Sequence, residues 1–117
     1  MTFDPGWAKS PDYIEWKAFM DKWNPTANQL EGSNVTGYAS AVNLMKLLTQ
    51  CGDDLTRENV MRQAANMVNM DIPLLLPGIK INTSPTNFSP IRSVQMARFE
   101  GDHWNLFGDL LTQAPGA

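Results

Sequence analysis

The 117-residue chain has room for one domain with a single core, and 43% apolar with 18% charged residues is the composition of a folding globule. A net charge of -3, with nine Lys and Arg scattered along the chain, argues against nucleic acid, whose phosphates demand clustered cations. No apolar run approaches the roughly 20 residues of a membrane helix, and the start, Met1 to Trp7, lacks the basic and apolar regions of a secretory signal.

Residues 1–9 read as an irregular lead-in. Ser10-Pro11-Asp12 then predicts a helix start, with a capping serine, proline at the first helical position and an acid in the first turn. Tyr13, Trp16, Phe19, Met20 and Trp23 recur at spacings of three and four, so they form one aromatic stripe. Asn24-Pro25 ends the helix.

A second helix is expected from Asn34–Thr36 to Cys51, with Gly52 placed for a left-handed cap. Ala41, Leu44, Met45, Leu48 and Cys51 share a face that Tyr38, Val42 and Leu47 widen, the pattern of a helix largely enclosed by its fold. Thr56 is the expected cap of a third helix, with Val60, Ala64, Met67 and Val68 as its buried stripe and Asn69–Asp71 as its end. The short link between these two helices predicts antiparallel neighbours.

From Ile72 to Pro85 the chain is apolar yet cut by three prolines. Ile79 and Ile81 alternate with Lys80 and Asn82 as a short strand, after which the path loops through Pro85 and Pro90. Ser93–Phe99 and His103–Phe107 form two β-type runs joined by Glu100-Gly101-Asp102, a hairpin signal. Trp104 and Leu106 fall on one face, which Val94 and Met96 can join. The tail from Gln113 to Ala117 reads as frayed.

Residues able to do chemistry are sparse. Cys51 stands alone, which leaves no internal disulfide and no Cys-based metal site; a small buried apolar residue is its expected role. His103 is the single histidine and falls on a strand beside a turn, and no Gly-x-Ser-x-Gly elbow accompanies it. Asp53-Asp54 sit in a capping loop, and the methionines at 45, 61, 67 and 70 read as core filler. Three Asn-x-Ser/Thr triplets, at 34, 82 and 87, read as chance in an Asn-rich chain. No catalysis, cofactor or metal is therefore expected. The candidate site is the start of the second helix, Asn34-Val35-Thr36-Gly37-Tyr38, where free N–H groups and the helix dipole favour a carboxylate.

Four stretches together carry a resemblance: Asn-Val-Thr-Gly-Tyr-Ala-Ser-Ala-Val-Asn-Leu (34–44), Cys-Gly-Asp-Asp-Leu-Thr-Arg-Glu-Asn-Val (51–60), Leu-Leu-Pro-Gly-Ile-Lys-Ile-Asn-Thr-Ser-Pro-Thr-Asn-Phe-Ser-Pro-Ile (75–91) and Met-Ala-Arg-Phe-Glu-Gly-Asp-His-Trp-Asn-Leu-Phe-Gly (96–108). In order and spacing they resemble the closing portion of the leucine-binding-protein family, the periplasmic solute receptors of branched-chain amino-acid-type ABC transporters. The likeness runs from about Trp7 to Leu111.

The resemblance implies an α/β chain, an incomplete part of a type I periplasmic-binding-protein fold. Residues 10–71 would be the helical part of one lobe, 72–92 a Pro-rich hinge crossing, and 93–111 a hairpin on the other lobe. Leu74–Leu76 would then pack under the helices, with Thr83–Ser89 exposed. Tyr38 would line the cleft with Asn34 and Thr36 nearby. The ligand would be an amino acid or related small carboxylate, the partner an ABC permease, and the compartment of the parent family periplasmic. Groups that grip the ligand's carboxylate and ammonium lie earlier in family members, so a chain of this extent is expected to bind solute poorly. A different expectation is a stand-alone interaction module that associates through its aromatic helix and open strands.

Overall fold

The computed structural model describes residues 6–113; most of the lead-in (1–5) and the tail (114–117) lie outside the described residues. Among the described residues the architecture is mixed α/β: three helices followed by a two-stranded antiparallel sheet.

Helix α1 (Pro11–Trp23) begins where its punctuation says, with Ser10 at the extended cap position and Pro11 at the first turn. The Ser10 side chain makes no capping bond; its carbonyl instead accepts from the Ile14 N–H at 3.1 Å. Only part of the aromatic stripe is covered. Trp16 and Met20 are buried, whereas Phe19 and Trp23 are exposed.

Helix α2 (Gly32–Cys51) starts two or more residues before the expected boundary. It is not enclosed: Leu47 and Cys51 are buried while Leu44 and Met45 are exposed. Its broad apolar face outruns what the described elements can cover. Gly52 supplies a positive φ of 60° after the helix, but its ψ of -136° lies outside the left-handed helical region.

Helix α3 (Arg57–Ala64) is capped as expected, the Thr56 side chain accepting from the Asn59 N–H. Buried Asn59 also joins the two helices, its Nδ2 donating to Cys51 O at 3.2 Å and Asp54 O at 2.7 Å. The helix stops well before Asn69. Thr83 is the reason: its hydroxyl donates to Ala64 O at 2.6 Å and accepts from the Met67 N–H at 3.0 Å. A distant side chain thus satisfies the helix end, and the chain turns away, leaving Val68 exposed.

The main apolar cluster is Met67, Met70, Ile72 and Ile81, with Ala39 and Leu75 packed against it. Three of its four buried members come from the ribbon at 70–81. Instead of the expected strand, Ile81 makes a single antiparallel bridge with Met70, exchanging N–H···O bonds of 3.0 and 2.9 Å.

Two proline corners shape the ribbon between those bridge residues. At the second, Pro77 and Gly78 form a turn closed by Ile79 N–H to Leu76 O at 3.0 Å, and Gly78 takes φ 87°. Proline then glycine is the sequence of a type II turn. At the first, Pro73 precedes Leu74, which is held at φ 67° with no glycine to relieve it. The leucines are accordingly half-buried rather than mostly buried: Leu74, Leu75 and Leu76 follow two corners and cannot all face one surface. Within 83–89, Thr83, Ser84 and Asn87 are half-buried, because they tie the loop to the helix end and to each other.

The hairpin pairs β1 (Ser93–Glu100) with β2 (His103–Thr112). Glu100 pairs with His103, so Gly101-Asp102 is a two-residue turn, and Gly101 at φ 67° provides the positive φ that the first turn position of a type II′ turn requires. Phe99 lies opposite Trp104 and Ala97 opposite Leu106, so these four share a face. Met96 stands opposite Phe107 on the other face, which corrects the expectation that it joins Trp104. Both faces are exposed: Met96 is 50% accessible and Phe99 55%.

The result is spread out. The radius of gyration is 16.2 Å, against about 13 Å for a compact domain of this length. Accessible surface is 8188 Å², about 1,800 Å² more than a compact monomer of this mass exposes.

Two substitutions test this description by chemical denaturation. Leu74→Gly relieves a positive φ and Leu75→Gly does not, so the second is expected to cost about 1–2 kcal/mol more than the first. Thr83→Val leaves Ala64 O and Met67 N–H without their partner and is expected to lose about 2 kcal/mol.

Candidate functional site

The three candidate residues sit in the first two turns of α2, and the helix geometry separates them. Residues two apart on a helix face different ways. Asn34 points back to the preceding loop, its Nδ2 donating to Asn28 O at 2.7 Å. Thr36 is exposed and donates to Gly32 O of its own helix at 3.1 Å. Tyr38 lines a concave surface.

Glu31 holds the cap position, with no side-chain cap bond, and the Asn34 N–H already reaches Glu31 O at 3.1 Å. The Glu31 carboxylate accepts instead from the Asn28 side-chain amide, Nδ2 to Oε1 at 3.4 Å. Beside this helix start, Tyr38 also lines a groove.

That groove is open, about 600 Å³, and lies along α2. Phe19, Tyr38, Ala41, Val42, Met45 and Met70 give it an apolar wall, with Lys46, Thr49 and Gln50 as its polar members. The Phe19 and Tyr38 rings meet at 5.1 Å between centroids, tilted by 56°, which joins α1 to α2. The Tyr38 hydroxyl reaches Glu15 Oε1 at 3.5 Å. Burial, followed by the negative charge of Glu15, pushes the Tyr38 phenol above its ordinary value. Lys46 closes toward the ribbon, its Nζ donating to Asp71 O. Such a surface accommodates an apolar or aromatic group; its one cation is already engaged with the backbone.

Sequence reasoning placed Tyr38 but not its neighbours. Phe19 and Met45 belonged to the apolar stripes of α1 and α2, and the excess width of those stripes was the available signal. Met70 comes from the ribbon and had none.

Elsewhere several polar groups have close local partners. Asp54 accepts from both the N–H and the hydroxyl of Thr56, which hold its carboxyl below the ordinary range. His103 Nδ1 lies 2.9 Å from Asp102 Oδ1, and that contact lowers the Asp102 carboxyl. Cys51 is buried, as expected. Among the described residues no cluster of three or more His, Cys, Asp or Glu could hold a metal ion, and no helix is long and apolar enough to cross a membrane.

No protein-family model, curated protein or solved structure matches this chain.

Tyr38→Phe keeps the ring on Phe19 and loses only the long contact to Glu15, so stability near neutral pH should change by less than about 0.5 kcal/mol. Tyr38→Ala removes the ring and is expected to cost about 1–3 kcal/mol. The raised phenol predicts a sign as well. Because the folded state favours the neutral form, this contribution is whole below the unfolded phenol value and is lost as pH rises through the folded one. Denaturation of wild type and Tyr38→Phe at alkaline pH should show wild type losing stability faster.

Proposed function

We propose that this chain is the C-terminal portion of a solute-binding receptor for ABC-transporter uptake, with a type I periplasmic-binding-protein architecture of which it supplies one incomplete part. The observation that carries the reading is the hairpin. Two strands with apolar residues on both faces are a piece of a larger covered sheet, since an isolated two-stranded sheet is marginal in water. The exposed outer face of α2 supports the same reading from the helical side.

In this reading residues 72–92 carry the chain from the helical lobe toward the hinge, and their proline corners make bending occur at fixed points. Tyr38 lies on the cleft side, its ring forming part of an apolar wall for an amino acid or related small carboxylate. The permease is the partner of the whole receptor, whose compartment is periplasmic. The chain carries no catalytic step.

The open surfaces also favour a second reading, a stand-alone interaction module. Uncovered strands and an uncovered apolar helix face are what such a module presents.

Isothermal titration of the 117-residue chain with a panel of amino acids and aromatic acids separates these expectations from ligand binding by the chain alone. No saturable heat is expected, because one wall of a cleft cannot enclose the solute. Micromolar binding would contradict the incomplete-cleft reading.

A further inference from the structure

Strand β1 offers an outer edge with an unusual property: it is complementary to itself. In a two-residue hairpin the closing pair, Glu100 with His103, is the hydrogen-bonded one. Arg98 and Met96 therefore also turn their backbone groups toward β2. Ala97 and Phe99 turn theirs outward, and by alternation so do Ser93 and Gln95. Among the described residues, no backbone bond outside the hairpin reaches these four. No proline interrupts 91–100. The outer edge of β2 is different, because Gly108, Asp109 and Leu110 stand against Gln95 alone and break its line.

We propose that the outer edge of β1 pairs with the same edge of a second copy of this chain, antiparallel about a two-fold axis through Met96. The sheet becomes four-stranded, in the order β2-β1-β1-β2. In this register Ser93 meets Phe99 of the second copy and Gln95 meets Ala97, so every outward backbone group finds an outward partner. Met96 packs on Met96, and Val94 lies along the stem of Arg98. The register also brings Arg92 opposite Glu100 at both ends. Arg92 makes no ion pair among the described residues; Glu100 accepts from Asn105 Nδ2 at 2.8 Å through one oxygen, and its other oxygen has only the long 3.7 Å contact with Arg98. Moving the axis by one residue places Val94 against Glu100 and loses both ion pairs.

Area supports the occupant. A standard interface removes about 800 Å² from each partner, well inside the excess surface that this chain carries. Isologous pairing also uses one patch twice, so the single sequence supplies both sides. This inference does not rest on the receptor reading: it concerns what the chain does in isolation, and solute titration tests the other claim.

Sedimentation velocity across rising loading concentrations is the test. Wild type is expected to shift reversibly from monomer to dimer. Ala97→Pro removes an outward N–H that the hairpin does not use, and should raise the dissociation constant about tenfold or more, since symmetry counts the loss twice. Arg92→Glu and Glu100→Arg should each weaken the dimer about fivefold by like-charge repulsion, and the double reversal should restore it. Trp fluorescence of each variant verifies that the hairpin is intact. A wild type that stays monomeric overturns the proposal. So does a dimer that tolerates Ala97→Pro, or single reversals that the double change does not rescue.

Discussion

A reciprocal pair of backbone hydrogen bonds between Met70 and Ile81 closes the apolar ribbon into a loop, and the three helices and β2 are attached to that loop or to the residues just beyond it. Helix α1 reaches it through Asp12, whose carboxylate accepts from the Leu74 N–H at 3.2 Å. Helix α2 reaches it through Lys46 on Asp71 O and through Ala39 against the core cluster. Helix α3 is tied by Thr83, and β2 approaches at Gly78, where a Cβ would lie 2.9 Å from Leu110 Cδ1. An exposed ion pair, Lys80 with Asp71, bridges the ribbon's own two arms and holds the Asp71 carboxyl low. Such a pair is worth little by itself. The burial of Met70, Ile72, Ile79 and Ile81 is what holds the loop shut.

This arrangement explains why the structure is uneven. The helices and the ribbon share buried side chains, so they form one packed body. The hairpin shares almost none. It is attached at Pro90, whose carbonyl accepts from the Asn82 N–H at 3.0 Å, and where Leu110 comes up beside Gly78; the Gln113 N–H to Arg92 O bond at 2.8 Å only lengthens its own ladder. Its aromatic residues satisfy one another, Phe99 and Trp104 meeting edge to face at 5.3 Å. An element so attached, with apolar residues on both faces, is incomplete without another surface. Completion by the remainder of a receptor and pairing with a second copy are two answers to that same physical deficit.

Local chemistry made much of this legible from residues alone. Pro11 after Ser10, Thr56 ahead of Glu58 and Gly101 in its turn each fix a nearby backbone conformation, and the elements they announce are present. What the sequence hid were effects decided at a distance. The end of α3 depends on Thr83, nineteen positions beyond Ala64. The half-burial of Leu74–Leu76 depends on two corners whose directions no periodicity encodes. The apolar face of α2 was readable, but a stripe cannot say whether its cover belongs to the same described body. For the same reason Tyr38 was identifiable as a flat aromatic near a helix start, while its groove, which needs Phe19 and Met70 from two other segments, was not.

Native-state hydrogen exchange, at a dilution that keeps the chain monomeric, bears most directly on the claim that the ribbon organises the fold. The amides of Met70, Ile81 and Thr83 should exchange only through the largest opening of the molecule. The inward amides of the hairpin, at Arg98 and Met96, should exchange through a smaller, separate opening. Hairpin amides as slow as those of Met70 and Ile81, or a ribbon that opens while the helices remain protected, would contradict the account.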